Sequence, residues 1–231
     1  MPPKRIVLFC EGQGEVQALP ALVEKFLAQL DPVARQKIFC DPNPFRIGDL
    51  TTLVNKGSME RWANLVKAAA MRKHVGAMLL VLDGDHDLVK FPTLQGQRLF
   101  CAAEFATLLA RQARAVGAGR DFSLAVVFVR QEFESWLIAG CPEFQAHAPK
   151  NPTDIESNKG AKGWIERHRR ATYKPTRDQA ELTATLDIHA PLLNQMRSFQ
   201  RLKNAMSQLV QAVCENQPVC TPDIKISTGV K

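Results

Sequence analysis

The sequence predicts an α/β protein: a mostly parallel sheet flanked by helices, with a C-terminal helical and basic appendage. Three observations carry this reading. Short continuous apolar runs, RIVLFC at 5–10, AMLLVL at 77–82 and SLAVVFV at 123–129, have the character of strands buried on both faces. Segments with helical spacing of apolar residues lie between them, the alternation that builds a parallel sheet covered on both sides. Past about residue 150 no strong apolar strand recurs, so residues 1–150 are read as the α/β domain and 151–231 as a helical, basic extension packing on it.

After RIVLFC comes VQALPALVEKFLAQL, with leucine-rich helical spacing and Pro20 expected early in the helix or breaking it. A weaker strand is expected within 37–47. Ser58 is the expected N-cap of MERWANLVKAAAMRKH, where Met59, Trp62, Leu65 and Ala69 recur at helical spacing and cations gather in the last turn. The second strong strand runs into the acidic loop DGDHD. A helix through LFCAAEFATLLARQARA should stop at the GAG of 117–119, and the third strand leads to a helix opening near QEFESWLIAG. The late segment ELTATLDIHAPLLNQMRSFQRLKNAMSQLVQAV reads as helices interrupted at Pro191, entered through the loop NKGAKG.

Composition narrows the class. The apolar runs are too short to cross a bilayer, the N-terminus does not read as a secretory signal, and a cytoplasmic protein is expected. Six cysteines stand singly, several in apolar segments, and are read as reduced and structural rather than as zinc ligands. The formal net charge of +7 is concentrated in residues 159–177, KGAKGWIERHRRATYKPTR, which hold seven Lys/Arg against the single Glu166. A locally basic tract on an otherwise nearly neutral chain suggests a polyanion, nucleic acid by default; a solvated helix face is the plain alternative. Arg167, Arg169, Arg170, Lys174 and Arg177 are the candidate phosphate-binding residues.

Acidic groups follow each of the three strands: Glu11 and Glu15 after the first, Asp83, Asp85 and Asp87 after the second, Glu132 and Glu134 after the third. Neighbouring strands lie about 5 Å apart, so these carboxylates would converge on the edge where open α/β sheets gather their ligands. Like charges brought together need compensation, and oxygen-only ligation selects Mg²⁺ or Mn²⁺ over zinc. Each piece alone has a plainer explanation. EGQGE fits a helix N-terminus, which accounts for Glu15 but not Glu11; DGDHD fits an Asp-rich turn; EFESW fits the solvated side of a helix with Phe133 and Trp136 inward. Together, at one edge, they point to a metal site, with His86 a bystander.

The E-G-x-x-E turn and the D-x-D loop resemble the Toprim domain of topoisomerases, bacterial primases, small ribonucleases and OLD-type nucleases. Through EGQGEVQALP, VLDGDHD, EFESWL, YKPTRDQAELTATLD and SFQRL, the chain resembles the small stand-alone Toprim-like proteins of the DUF4276 family. The resemblance implies a Toprim-like fold and an Mg²⁺- or Mn²⁺-dependent nuclease that hydrolyses phosphodiesters of DNA or RNA. It makes Glu11, Glu15, Asp83 and Asp85 metal ligands, with Glu134 or Glu132 completing a two-metal site. It also implies a lysine near the scissile phosphate: Lys174 in YKPT is the first choice, with Lys159 and Lys162 as alternatives. Glu11 and that lysine would be the catalytic residues. OLD-type nucleases carry an ATPase, and this chain has no G-x-x-x-x-G-K-[ST] loop; a separate ABC/AAA-type ATPase, as in two-component phage-defence systems, is the expected partner. Tyr173 is the sole tyrosine, but a chain of this size lacks the gates a topoisomerase needs. A non-catalytic nucleic-acid-binding or regulatory subunit with a structural metal site is the alternative. A bare binding module explains the basic tract and leaves the carboxylates unexplained.

Overall fold

The computed structural model describes residues 2–48, 50, 53, 59–85, 88–90 and 97–223, with the backbone alone at 59, 88–90 and 97–99. The expected cap Ser58, His86 and Asp87 lie outside the described residues. Strand β1 (Lys4–Cys10) is central, paired on one side with β2 (Ile38–Cys40) and β3 (Phe45–Arg46), and on the other with β4 (Val75–Leu82). A short antiparallel hairpin, β5 (Leu88–Lys90) and β6 (Gln97–Leu99), stands apart. Strand β7 (Ser123–Phe128) pairs with β4, and β8 (Cys220–Thr221) closes the far edge. The six-stranded sheet has the order β2-β1-β4-β7-β8, with β3 following β2 along the same edge of β1, and every pairing in it is parallel.

Strand side chains alternate between two cores, as the two-residue pleat requires. Ile6, Leu8, Ala77, Leu79, Ala125 and Val127 face a layer formed by helices Glu15–Leu27, Glu134–Gly140, Ala161–Arg169 and Arg197–Glu215. Val7, Phe9, Met78, Leu80, Leu124 and Val126 face helices Met59–Ala70 and Ala102–Arg114. Burial on both faces is why these strands read as unbroken apolar runs. The helices after residue 150 bury Ile155, Ile165, Leu182, Phe199 and Leu202 in the same core as Ile6 and Leu8, so they form one cover of the sheet. Trp136 sits in that cover, edge-on to Phe199, and its Nε1 donates to Ser198 Oγ at 2.9 Å.

Several local expectations need correction. Pro20 lies inside helix Glu15–Leu27, which continues through it: burial of Leu19, Leu22, Val23 and Leu27 offsets the hydrogen bond the proline removes. The weak strand in 37–47 is two short strands, both on β1, separated by the turn that begins at Asp41. The helix expected from Leu99 starts at Ala102, because Gln97–Leu99 pairs in the hairpin. The cysteines form no disulfide, and no helix among the described residues is long and apolar enough to cross a membrane.

Just past the carboxyl end of β2, level with the middle of β1, Asp41 is buried and accepts from Arg5 Nη1 at 2.7 Å and Arg72 Nη1 at 2.6 Å. Burial alone would raise this carboxyl, but Arg5, the Asn43 amide and Arg72 outweigh it and hold it below the ordinary aspartate value. Arg72 also covers the Phe45 ring, 4.2 Å from its centroid, so the triad ties β1, the turn after β2 and the end of helix Met59–Ala70. Asp41→Ala should cost about 1–3 kcal/mol at neutral pH, since the arginines keep partial solvent access. A depressed carboxyl contributes stability above its unfolded value and loses it as pH falls through the folded one. Urea titrations should therefore show the gap between variant and wild type shrinking below about pH 4.

Candidate functional site

The chain runs from β1 outward to β2 and then returns past β1 to β4, so the order of crossing reverses between β1 and β4. Such a switch point opens a crevice at the carboxyl ends of the strands. The register Phe9↔Leu80 carries on so that Glu11 and Asp83 leave adjacent strands at nearly the same level. The acidic residues thus emerge where parallel α/β sheets place their chemistry.

Glu15 opens the helix after β1 and is buried; its Oε2 accepts from the backbone N–H of Glu11 at 2.9 Å and of Gly12 at 3.1 Å. The turn closes on its own carboxylate, and Gly14 lets it lie against the turn Pro175–Gln179. A Cβ at Gly14 would stand 2.8 Å from Pro175 O. Asp83 Oδ1 accepts from Phe133 N at 2.9 Å, at the start of helix Glu134–Gly140. Gly84 brings the same loop onto the chain leaving β7: its N–H donates to Gln131 O at 2.8 Å, and a Cβ there would stand 2.3 Å from Val129 O. Glu134 is fully buried; its Oε1 accepts from Tyr173 Oη at 3.0 Å, and its Oε2 lies 3.9 Å from Lys162 Nζ. Glu132 holds the other side of that ammonium, with Oε1 at 3.5 Å.

Burial is the main force on these carboxyls. It pushes Asp83 well above the ordinary aspartate value, helped by the charges of Glu15, Glu134 and Glu11 and opposed by Lys162. It raises Glu15 against the Gly12 and Glu11 amides, and it raises Glu134 to about 7 against Lys162 and Tyr173. Burial works to lower the Lys162 ammonium, but Glu134, Glu132 and Asp83 outweigh it and the net shift is upward. Mutual influence of Glu11, Glu15, Asp83, Glu134 and Lys162 marks them as one electrostatic unit.

The expected residues divide accordingly. Asp85 is exposed beside the unit. Of the two candidates after β7, Glu134 couples to Asp83, whereas Glu132 attends Lys162. The plainer alternative for EFESW, a solvated helix side, does not hold for Glu134, since every residue of Glu134–Gly140 is buried. Lys162, rather than the first-choice Lys174, reaches the carboxylates. Lys174 has an exposed side chain, while its N–H donates to Asp178 at 2.5 Å, and Lys159 is exposed in the loop before helix Ala161–Arg169. Of the basic tract, Arg169 pairs with Glu181 at 2.9 Å and Glu143 at 3.3 Å, and Arg177 with Asp178 at 2.6 Å. Arg167 and Arg170 are exposed. Tyr173 is buried, and burial together with Glu134 raises its hydroxyl above the ordinary value, the opposite of what a nucleophile requires. Its role as a donor to Glu134 was not foreseen. Asp178 was also missed, although an aspartate four residues past Lys174 and beyond a proline is a turn signature.

The donor set suits a hard divalent cation in type and charge. It is all oxygen, its carboxyls are raised by burial and repulsion, and Glu134 Oε2 is buried with no hydrogen-bond donor. Among the described residues, no three His, Cys, Asp or Glu side chains stand as a ready ligand set. Glu15 and Asp83 each accept from backbone amides through one oxygen and Glu134 Oε1 accepts from Tyr173, so a bound cation would draw on their remaining lone pairs, Glu134 Oε2 among them.

The family model described as "Domain of unknown function (DUF4276)" matches residues 10–207. The chain belongs to the DUF4276 family. That match runs from the last residue of β1 and takes in β4, β7, the acidic residues, Lys162 and Tyr173 of this DUF4276 chain. No curated protein and no solved structure matches it.

Raised carboxyls make ionisation unfavourable to the fold. Glu134 holds its proton in the folded chain up to about pH 7 and loses it near pH 4.3 when unfolded, so its ionisation lowers stability progressively across that window. With a chelator present, Glu134→Gln should decline less between pH 4.5 and 7 than wild type in denaturant titrations, and gain on it toward pH 8.

Proposed function

We propose that this DUF4276 protein is an Mg²⁺- or Mn²⁺-dependent nuclease of the Toprim type, hydrolysing phosphodiesters of DNA or RNA. The observation that carries the reading is the cluster of half-buried Glu11 and Asp83 with buried Glu15 and Glu134 at the β1/β4 switch point, with Lys162 alongside. A bound divalent cation would neutralise these carboxylates and supply Lewis-acid stabilisation of charge on phosphoryl oxygens. Asp83, Glu134 and Glu11 would hold it, with Asp85 at the exposed rim and Glu15 buttressing the turn. Lys162 would neutralise charge on a phosphate at the edge of the cluster, a role Lys174 is less well placed for. Tyr173 orients Glu134, and the exposed Arg167, Arg170 and Lys174 supply sequence-independent attraction for the polyanion.

The relation to OLD-type nucleases and a separate ATPase partner in phage defence belong to the same proposal; they rest on the resemblance of the EGQGE and DGD segments. The alternative, a regulatory or binding subunit with a structural metal, draws on a specific feature: the carboxylates are already engaged by amides, Tyr173 and Lys162.

The test is cleavage of labelled DNA and RNA with Mn²⁺ or Mg²⁺. Wild type should cut, Asp83→Asn and Glu134→Gln should lose at least about 100-fold, and Lys162→Ala should lose more than Lys174→Ala. Activity only on adding the partner ATPase would favour the two-component form. Binding without cleavage under either condition would sink the enzymatic reading.

A further inference from the structure

Helix Ala161–Arg169 carries Lys162 in its first turn and, in its last, the exposed ring of His168. The His168 imidazole lies flat on the Trp164 indole, with centroids 3.6 Å apart and planes 18° apart, and His168 Nδ1 is bonded to Trp164 O at 2.8 Å. That bond fixes the ring plane. His147, from the turn after Phe144, sits 5.7 Å away at 41°, and both histidines are exposed. Trp164 itself is nearly buried, braced edge-on by Phe144. The result is a rigid aromatic stack ending at the surface, and nothing in the acidic cluster uses it.

Cations flank it. Arg167 and Arg170 are exposed on the same helix and its cap. Between them and Lys162 lies Gly163, where a Cβ would meet only Arg167 Nη1, at 3.6 Å. At 1.5 Å per helical residue, Lys162 and His168 are about 9 Å apart along the axis, roughly three stacked nucleotides at 3.4 Å each. A stacking ring and flanking guanidinium groups within a few nucleotides of the reacting edge are what an unpaired strand needs, because its bases offer open faces that a duplex conceals.

We infer that the nucleic acid taken by this site is single-stranded, with a base a few nucleotides from the reacting phosphate stacked on His168 and its phosphates on Arg167 and Arg170. The inference rests on the nuclease reading for its purpose, but it is tested by binding. The experiment is fluorescence anisotropy of labelled 12-nucleotide single strands and of the matching duplex, with full-length protein in EDTA so that nothing is cut.

Wild type should prefer the single strand. His168→Ala should weaken it about 5- to 150-fold, the range of one lost base–aromatic stack, and His168→Phe should restore most of that. The Arg167→Ala/Arg170→Ala pair should flatten the salt dependence by about 1.4 in log–log slope. Duplex preference, or equal binding by His168→Ala and wild type, overturns the stacking platform, as does a His168→Phe protein no better than His168→Ala. If His168→Ala fails to fold, the His168→Phe and double-arginine variants decide the matter. Cleavage that survives failed strand binding would leave the nuclease reading intact; His168-dependent binding without any cleavage would remove that reading and keep the platform.

Discussion

The arrangement depends on confining carboxylates that repel one another. Two unit charges about 5 Å apart repel by roughly 3 kcal/mol even at an effective dielectric of about 20, and burial adds a desolvation cost for each. The fold meets this with donors drawn from distant parts of the chain. Amides of Glu11 and Gly12 hold Glu15, the Phe133 amide holds Asp83, and Tyr173 and Lys162 hold Glu134. The first two-thirds of the sequence supply the acids, and the segment past residue 150 supplies the cation and the phenol. The basic segment is therefore part of the site's construction, beyond any role it has in attracting a polyanion.

The scaffold makes such confinement sustainable. Three central parallel strands buried on both faces leave little freedom to the loops at their carboxyl ends, and the Asp41 triad ties down the β2 edge of the sheet. Gly14 and Gly84 let two of those loops touch neighbouring backbone where any side chain would collide. The energetic tension is thus placed on carboxyls rather than on the backbone. A protein that holds raised, half-compensated carboxylates at a sheet switch point is prepared for a positive charge to arrive.

Much of this was legible in the sequence because the signals were local. Continuous apolar runs marked β1, β4 and β7, and the residues that end those runs were the acids themselves. What escaped depended on tertiary placement. Choosing Lys162 over Lys174 requires knowing that helix Ala161–Arg169 lays its first turn beside Glu134 while Lys174 is turned outward by the Asp178 turn. Choosing Glu134 over Glu132 requires the angle at which the helix leaves β7. The Asp41 triad joins residues 36 and 31 positions apart, which no short-range pattern reveals. Pro20 misled because propensity speaks for an isolated helix, and this one is held by its buried face.

The central claim is that the Glu11, Asp83 and Glu134 cluster is a divalent-cation site. The most direct measurement is a crystal structure of the protein equilibrated with Mn²⁺, with anomalous difference maps collected for manganese. A divalent-cation site should give at least one anomalous peak within bonding distance of Asp83 and Glu134, the latter through its Oε2. A map without manganese in the cluster at saturating concentration would contradict the claim.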